Sequence, residues 1–229
     1  MHEIVLNAGR DWPVRAGHPW VFSRAIATGL ADLTPGDVVR VRASDGAFLA
    51  IGYANPRTTI AVRVLSTDDV VVDDAFVGDR IAAALALRRA MLDETNAYRV
   101  VNGEGDRLPG VVVDRYGDVL VCQFLTAGAA RLAPAVVRAL EGVLEPRTIF
   151  ERSDGAVRRE EGLEGSVGVL AGAPPPELVE IEEAGARFLV DVVRGQKTGF
   201  FLDQRESRAR VRALARDRRV LNAFAYTGA

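Results

Sequence analysis

Short apolar runs with partial alternation dominate the first 72 residues. Three of them are predicted as strands, at residues 38–42, 48–53 and 59–64, because apolar and polar or small positions alternate with the period of a pleated strand. Clusters of Pro, Gly, Asn and Asp separate these runs, as expected for turns. The pattern predicts a small β-rich unit, shaped like a barrel, over residues 1–72.

A helical period follows an acidic hinge. Val77, Ile81 and Leu85 recur every four residues, which predicts a helix over about residues 75–95 with one buried face. The rest of this block is predicted as a loop at 98–109, a hairpin of strands 111–114 and 119–124, a helix at about 129–142 and a strand at 148–152. Residues 73–176 are therefore predicted as a central domain of mixed α+β type with its own core.

Three consecutive prolines, at residues 174–176, predict an extended linker. After them the pattern predicts a hairpin of 178–182 and 188–192, a helix at about 203–217 and a last strand at 220–224. This strand runs into a loop of small residues, as the first strand of a doubly wound α/β domain does. We expect it to open such a domain, to join the hairpin as an antiparallel strand, or to pair with a partner chain.

The composition excludes several classes of protein. The 229 residues carry 29 basic and 31 acidic side chains, so any nucleic-acid site has to be a local patch. One cysteine and two histidines cannot supply an internal disulfide or a four-ligand structural zinc site. No apolar run reaches the roughly 18–20 residues of a membrane span, and the N-terminus lacks the pattern of a signal peptide. We expect a cytoplasmic protein with no membrane partner.

Six groups of short motifs occur in order along the chain. They are GHPWVFS at 17–23, YANP at 53–56 with IAVR at 60–63, EGDRLPG at 104–110 leading to VDRYG at 113–117, ERSD at 151–154, GQKTGFFLDQR at 195–205, and VLNAFAYTG at 220–228. With these motifs the whole chain resembles the S-adenosylmethionine-dependent large-subunit (23S) ribosomal RNA (cytosine-5) methyltransferases. The run at 195–205, named the 195–205 segment below, is the most specific of them.

The resemblance implies three parts and a reaction. It implies an RNA-binding PUA-like barrel at 1–72, a central α+β domain at 73–176, and at 177–229 the start of a Rossmann-like class I methyltransferase domain. The fold class expected is thus a mixture of α/β and α+β. The reaction implied is transfer of a methyl group from S-adenosylmethionine to C5 of a cytosine in ribosomal RNA.

Cofactor-binding residues are predicted at the two C-terminal motifs. Polar and aromatic side chains near a small-residue loop suit the adenine, ribose and carboxylate of S-adenosylmethionine. The residues predicted to bind it are Phe201, Asp203, Gln204, Arg205, Asn222, Phe224, Tyr226, Thr227 and Gly228.

RNA-binding residues are predicted in two places. Residues 194–219 hold nine basic and three acidic side chains, a local charge that suits an RNA backbone, although a solvated helix face would have the same pattern. An arginine-rich segment near the N-terminus resembles the family's PUA entry. The residues predicted to contact RNA are Arg10, Arg15, His18, Arg24, Lys197, Arg208 and Arg212.

Cys122 is predicted to be structural rather than catalytic. Methylation at cytosine C5 requires a thiolate that adds to the ring at C6, but Cys122 shares a strand face with Leu120 and Phe124. In the family the catalytic cysteine lies beyond the first cofactor loop. We therefore expect these 229 residues to be an N-terminal portion that is inactive alone, with ribosomal RNA as a partner and a homodimer left open. The alternative is a non-catalytic RNA-binding module of PUA type.

Overall fold

The computed structural model describes residues 1–223 and Ala225. Its N-terminal part is one sheet in the order β2-β6-β5-β4-β1-β3, in which only β1 and β4 are parallel neighbours. The elements are β1 (His2–Leu6), α1 (Trp12–Arg15), β2 (Trp20–Phe22), β3 (Ile26–Thr28), β4 (Asp37–Arg42), β5 (Phe48–Ala54) and β6 (Ile60–Ser66).

The two outer strands of this sheet are neighbours in sequence. One 3-10 turn, Ser23–Ala25, joins the end of β2 to the start of β3, and four peptide units span at most about 14 Å. The sheet therefore curls until its edges come close together, and it encloses Ile4, Leu6, Val39 and Val41. This is the barrel-like β domain predicted from the sequence.

The central part is a five-stranded sheet with two long helices on one face. The elements are α2 (Asp74–Met91), β7 (Ala97–Asn102), β8 (Val111–Tyr116), β9 (Val119–Phe124), α3 (Ala127–Leu144), β10 (Thr148–Ser153), α4 (Ala156–Glu160) and β11 (Ser166–Gly172), with the strands in the order β11-β10-β9-β8-β7. Strands β9 and β10 are parallel, and α3 is the crossover that this arrangement requires. The apolar stripe of α2 packs with α3 over Leu120 and Cys122.

A hairpin covers the other face of the central sheet. It consists of β12 (Val179–Glu183) and β13 (Ala186–Val190). Its buried side chains Val179, Ile181 and Val190 pack with Tyr116 and Val121 of the sheet. A 3-10 turn, Leu202–Gln204, and helix α5 (Arg205–Leu214) follow. The central sheet is thus buried on both faces, which explains its long apolar runs.

The predicted loop at residues 98–109 is wrong over its first half. Ala97–Asn102 is the edge strand β7, and Gly103–Asp106 is a 3-10 turn. The register of β7 against β8 shifts between Arg99 and Val101, and Val100 and Val101 are both buried. A bulge of this kind breaks the period of two on which strand prediction depends.

Two helices and the last strand also differ from the prediction. Helix α2 ends at Met91 rather than near residue 95, and acidic residues, unfavourable at the negative end of a helix dipole, follow at 93 and 94. Helix α5 is shorter than 203–217. Residues 220–223 form no strand, since no neighbouring strand of the described chain pairs with them, and Phe224 lies outside the described residues. Within those residues, no helix could span a bilayer.

Tyr53 connects the N-terminal barrel to the central domain. Its hydroxyl donates to the carbonyl of Pro109 at 2.8 Å and lies 2.7 Å from Oγ1 of Thr126, the residue that caps α3. Its ring lies against Gly128, where an added Cβ would overlap the ring atoms. The first turn of α3 therefore approaches the barrel as closely as a glycine allows.

Two glutamates of the central part hold barrel side chains. Glu104 accepts hydrogen bonds at 2.9 Å from Nε1 of Trp20 and from Arg63. Glu161, which is buried, accepts from Asn55 at 2.8 Å and from Arg63 at 3.3 Å. These contacts unite the motifs at 17–23, 53–56, 60–63 and 104–110 at one junction.

Gly128→Ala tests how tightly this junction is packed. The new methyl group would collide with the buried ring of Tyr53, which two hydrogen bonds hold in place, so we expect a loss of about 1–3 kcal/mol in the free energy of unfolding. Gly142→Ala is the control, because Gly142 lies in the same helix with open space around it and should gain up to about 1 kcal/mol. The measurement is urea unfolding; equal stability of Gly128→Ala and the parent chain would contradict the packing.

Candidate functional site

The 195–205 segment lies on the hairpin face of the central sheet. Phe200 is buried there with Tyr116 and Val190, and its ring centre is 5.2 Å from that of Phe188. An aromatic side chain of this size contributes a large apolar area. The segment is therefore anchored to the central domain by packing as well as by hydrogen bonds to Asp114 and Arg152.

A buried carboxylate, Asp114 of β8, holds the segment. Only 1% of Asp114 is exposed, and Arg99 donates to its two oxygens at 2.8 and 3.0 Å. Thr198 donates its hydroxyl proton to Asp114 at 2.6 Å, so the phenol of Tyr116, 2.7 Å from Thr198 Oγ1, is the donor in that second bond. Burial and the charge of Asp114 raise the pKa of Tyr116, which keeps the phenol protonated.

The backbone of the segment takes conformations that glycine favours. Gly199 has a φ of 137°, and Lys197 has a φ of 56° in the left-handed region. A Cβ at Gly195 would collide with the carbonyl of Asp191. Arg152 of β10, which is also buried, donates to the carbonyl of Gly195 at 2.7 Å. The ERSD motif thus supplies a cation that fixes the start of the segment.

Lys197 and Asp203 close the exposed side of the segment. The ammonium group lies 2.9 Å from both carboxylate oxygens and 4.6 Å from the ring centre of Phe201. The hydrogen bond from Lys197 lowers the pKa of Asp203. Because both side chains are exposed, a ligand can compete for this ion pair at little cost.

A cavity of about 470 Å³ opens between the segment and the end of α2. Apolar and charged groups share its wall. The lining residues are Leu87, Arg88, Met91, Leu92, Tyr98, Arg99, Asn102, Asp114, Lys197, Phe200, Leu202, Asp203 and Arg205. A concave site with aromatic walls and a few fixed polar groups has the character of a small-ligand pocket.

The predicted cofactor residues are placed only in part. Phe201, Asp203, Gln204 and Arg205 lie together at the turn before α5. Arg205 turns inward and donates to the carbonyl of Ala97 at 2.6 Å. Asn222 is exposed, and the last four predicted residues, Phe224, Tyr226, Thr227 and Gly228, lie outside the described residues.

The predicted RNA contacts form two separate groups in sequence. Arg10, Arg15, His18 and Arg24 are exposed on the barrel, with Arg15 paired to Asp11 at 2.6 Å. Lys197, Arg208 and Arg212 belong to the C-terminal group, of which Arg212 donates to the carbonyl of Ala184 at 2.6 Å. The other exposed basic residues of the 194–219 patch are Arg194, Arg210, Arg216, Arg218 and Arg219.

Glu183 at the end of β12 neutralises part of the basic patch. It is 4% exposed and accepts from Arg208 at 2.7 and 2.9 Å and from Arg205 at 3.3 Å. Burial alone would raise the pKa of this carboxyl, but the hydrogen bonds and charges of Arg208 and Arg205 outweigh burial and lower it. Arg208 also lies over the ring of Phe200 at 4.5 Å. Two of the predicted ligand residues therefore fasten α5 to the hairpin.

Cys122 is fully buried among the residues that face the helices. Burial raises the pKa of its thiol, so the reactive thiolate is disfavoured. This location is the one predicted from the strand pattern. Sequence reasoning gave no role to Asp114, Arg152 or Glu183, although Asp114 and Arg152 lie in the motifs at 113–117 and 151–154 and Glu183 is a charged residue at the end of an apolar run.

Two family models match the chain. Residues 4–67 match the PUA-like domain, and residues 159–229 match the S-adenosylmethionine-dependent methyltransferases. Proteins named ribosomal RNA large subunit methyltransferase I are 44% identical over 230 residues in Aliivibrio fischeri MJ11, 43% over 227 in Vibrio cholerae and 42% over 228 in Cronobacter sakazakii. Each match covers 98% of this chain. The chain is similar to large-subunit ribosomal RNA methyltransferases.

The chain spans 57–58% of the length of these relatives. Among solved structures, a provisionally assigned S-adenosylmethionine-dependent methyltransferase of Streptococcus mutans has a TM-score of 0.75 at 23% identity, covering 92% of this chain and 54% of that one. A second provisionally assigned methyltransferase, complexed with SAH, has a TM-score of 0.76 at 23% identity, covering 91% and 52%. The predicted fold class, a PUA-like barrel followed by mixed α/β parts of methyltransferase type, is confirmed.

Thr198→Val tests the contact between the segment and Asp114. Valine keeps the shape but leaves the Tyr116 hydroxyl and one oxygen of Asp114 without this partner, so we expect the free energy of unfolding to fall by about 1–3 kcal/mol. Thr198→Ser keeps the hydroxyl and is the control. The measurement is guanidinium unfolding of both variants, and a Val variant as stable as the Ser variant would show that the hydroxyl is dispensable.

Glu183→Gln tests the pH dependence of the hairpin contact. The folded-state pKa of Glu183 lies below its ordinary value of 4.5, so its stabilising effect is fully present above about pH 4.5 and disappears as the pH falls through the folded-state value. We expect the variant to lose about 1.5–3 kcal/mol at pH 7. The difference from the parent chain should shrink below pH 4.5. Thermal unfolding from pH 7 to pH 3 measures it, and a difference that grows toward low pH would reverse the assigned sign.

Proposed function

We propose that the protein acts in S-adenosylmethionine-dependent methylation of large-subunit ribosomal RNA. The observation that carries the proposal is the alignment of 98% of the chain with relatives that bear this name. The methyltransferase match at 159–229 includes the whole 195–205 segment. Residence in the cytoplasm, and the division into parts at 1–72, 73–176 and 177–229, belong to the same proposal.

The 195–205 segment suits S-adenosylmethionine in part. That cofactor carries a flat adenine, ribose hydroxyls and a charged amino-acid end, and it supplies a methyl group on a sulfonium centre. Phe201 offers an aromatic surface, while Asp203 and Gln204 offer polar groups at an exposed turn. Asn222 and the residues at 224 and 226–228 complete the proposed set.

In this proposal, residues of the chain bind the cofactor, and others hold the binding residues in position. Asp114 binds the Thr198 hydroxyl and Arg152 binds the Gly195 carbonyl, so Lys197 and Asp203 keep a fixed position beside the cavity. Arg205 holds the turn through the Ala97 carbonyl. Preorganisation of this kind reduces the entropy lost when a ligand binds.

Cytosine C5 is proposed as the methylated atom on the strength of the motif resemblance. That reaction needs a thiolate that adds at C6 and makes C5 nucleophilic. Cys122 is the single cysteine of the sequence and it is buried inside the central domain. We therefore propose that the thiol is supplied from outside these 229 residues, and that they transfer no methyl group alone.

A second candidate is a non-catalytic RNA-binding module. The PUA-like match at 4–67 and the exposed Arg10, Arg15 and Arg24 favour it. In this account Lys197, Arg208 and Arg212 either stabilise the fold or contact RNA. The 195–205 segment then binds no small ligand. The two candidates share ribosomal RNA as partner and differ in their use of S-adenosylmethionine.

Methyl transfer to ribosomal RNA separates these candidates. The 229-residue chain and the whole polypeptide made by its source are each incubated with 23S ribosomal RNA and S-adenosylmethionine labelled in the methyl group. We expect RNA binding from both, labelled RNA from the whole polypeptide only, and 5-methylcytidine in the nucleoside digest.

Each other outcome removes one part of the proposal. A different methylated nucleoside would exclude the C5 assignment, and turnover by the 229-residue chain would exclude the need for an outside thiol. RNA binding with no transfer from either form would favour the non-catalytic module. Absence of RNA binding would exclude both candidates.

A further inference from the structure

Trp12 is exposed on the barrel to an unusual degree. It begins α1, and 72% of its surface is accessible to solvent. Val14, two residues later, is buried in the barrel core. Because successive helical residues are separated by about 100°, a residue two positions from Val14 points away from the barrel. The position of Trp12 in α1 therefore keeps its indole exposed to solvent.

The other tryptophan of the chain is placed quite differently. Trp20 is half-buried and donates its Nε1 proton to Glu104 at 2.9 Å. Within the described residues Trp12 makes no such bond and enters no ring contact. Its wide apolar surface and its N–H group are both open to a partner, and large aromatic residues are frequent anchors of binding sites.

The surroundings of Trp12 are cationic and aromatic. Arg10 and Arg24 are exposed, and neither forms an ion pair within the described residues. Asn7 holds them near each other, because its carbonyl accepts from the Arg10 amide at 3.0 Å and its side-chain amide donates to the carbonyl of Arg24 at 3.2 Å. Asp11 is already paired with Arg15 at 2.6 Å. His18 is exposed, and its backbone amide donates to Pro13 at 2.8 Å, beside Trp12 in the chain. In a protein whose net charge is −2, this surface is locally positive.

We infer that Trp12 is a stacking platform for one unpaired base of RNA, with Arg10 and Arg24 contacting the adjacent phosphates. An exposed aromatic ring flanked by arginines matches the two faces of a single-stranded nucleotide, a flat base and an anionic backbone. A membrane is a poorer match, because α1 is only four residues long and has no continuous apolar face to insert. The inference rests on the proposed RNA binding and names Trp12 as a residue that contacts the RNA.

The test uses the 229-residue chain and a short unstructured oligoribonucleotide. Trp12→Ala should weaken binding about 5- to 150-fold, the range for loss of one base stack, whereas Trp12→Phe should keep most of the affinity. RNA should quench the tryptophan emission of the parent chain, and this quenching should be absent in Trp12→Ala. Arg10→Ala should lower the slope of log affinity against log salt concentration by about 1.

Two controls keep the outcomes distinct. Leu189→Ala removes another exposed apolar side chain, 62% accessible on β13, and should leave RNA binding unchanged. Thermal unfolding of Trp12→Ala should match that of the parent chain, since the indole packs on little else. If the parent chain binds neither this oligoribonucleotide nor 23S ribosomal RNA, the proposed function fails and the inference fails with it; binding to 23S ribosomal RNA without binding to the oligoribonucleotide would overturn the stacking site alone.

The remaining outcomes concern Trp12 alone. If the parent chain binds RNA and Trp12→Ala binds it equally well without loss of quenching, the stacking site is wrong and the proposed function stands. Co-sedimentation with anionic phosphatidylglycerol vesicles gives a further check. Trp12-dependent binding to vesicles without any effect on RNA would overturn the inference in favour of a lipid surface.

Discussion

The position of the candidate site depends on one buried charge. Asp114 lies inside the central domain, and a carboxylate there is tolerated only when its oxygens are fully paired. Arg99 from the edge strand and Thr198 from the 195–205 segment supply those partners. The same group that stabilises the bulged edge of the sheet thereby fixes the conformation of the most specific motif in the chain.

The same device recurs at the other junctions of the molecule. Glu104 and Glu161 bind barrel side chains, and Glu183 binds the arginines of α5. Glu161 and Glu183 are buried and Glu104 is half-buried, and each of these carboxylates faces a guanidinium or an amide from another part of the sequence. Arginine suits this task because its planar group makes paired hydrogen bonds, and all but one of the 29 basic residues are arginines.

Hydrophobic periodicity predicted helices and strands correctly where an element is buried on one face or uniformly. It failed where the pairing between strands is irregular. The stripes of α2 and α3 and the β8–β9 hairpin follow from spacing alone. Strand β7 was missed because its bulge buries two valines in succession. Strands β2 and β3 were missed because three residues are too few to show a period.

The site was predicted as a segment but not as a set of contacts. The partner of Thr198 lies 84 residues earlier in the chain, and the partners of Arg208 and Arg205 include a glutamate more than 20 residues away. Counting charges over 194–219 indicated a free cationic patch, yet Glu183 and backbone carbonyls bind three of its arginines. Asp114, Arg152 and Ala97 bind three points of the 195–205 segment, and all three belong to strands earlier in the chain, so the central sheet is a template for the segment. We expect the segment to acquire its shape by docking onto that sheet once the sheet has folded, so that the prolines at 174–176 separate two stretches of sequence whose side chains still share one set of contacts.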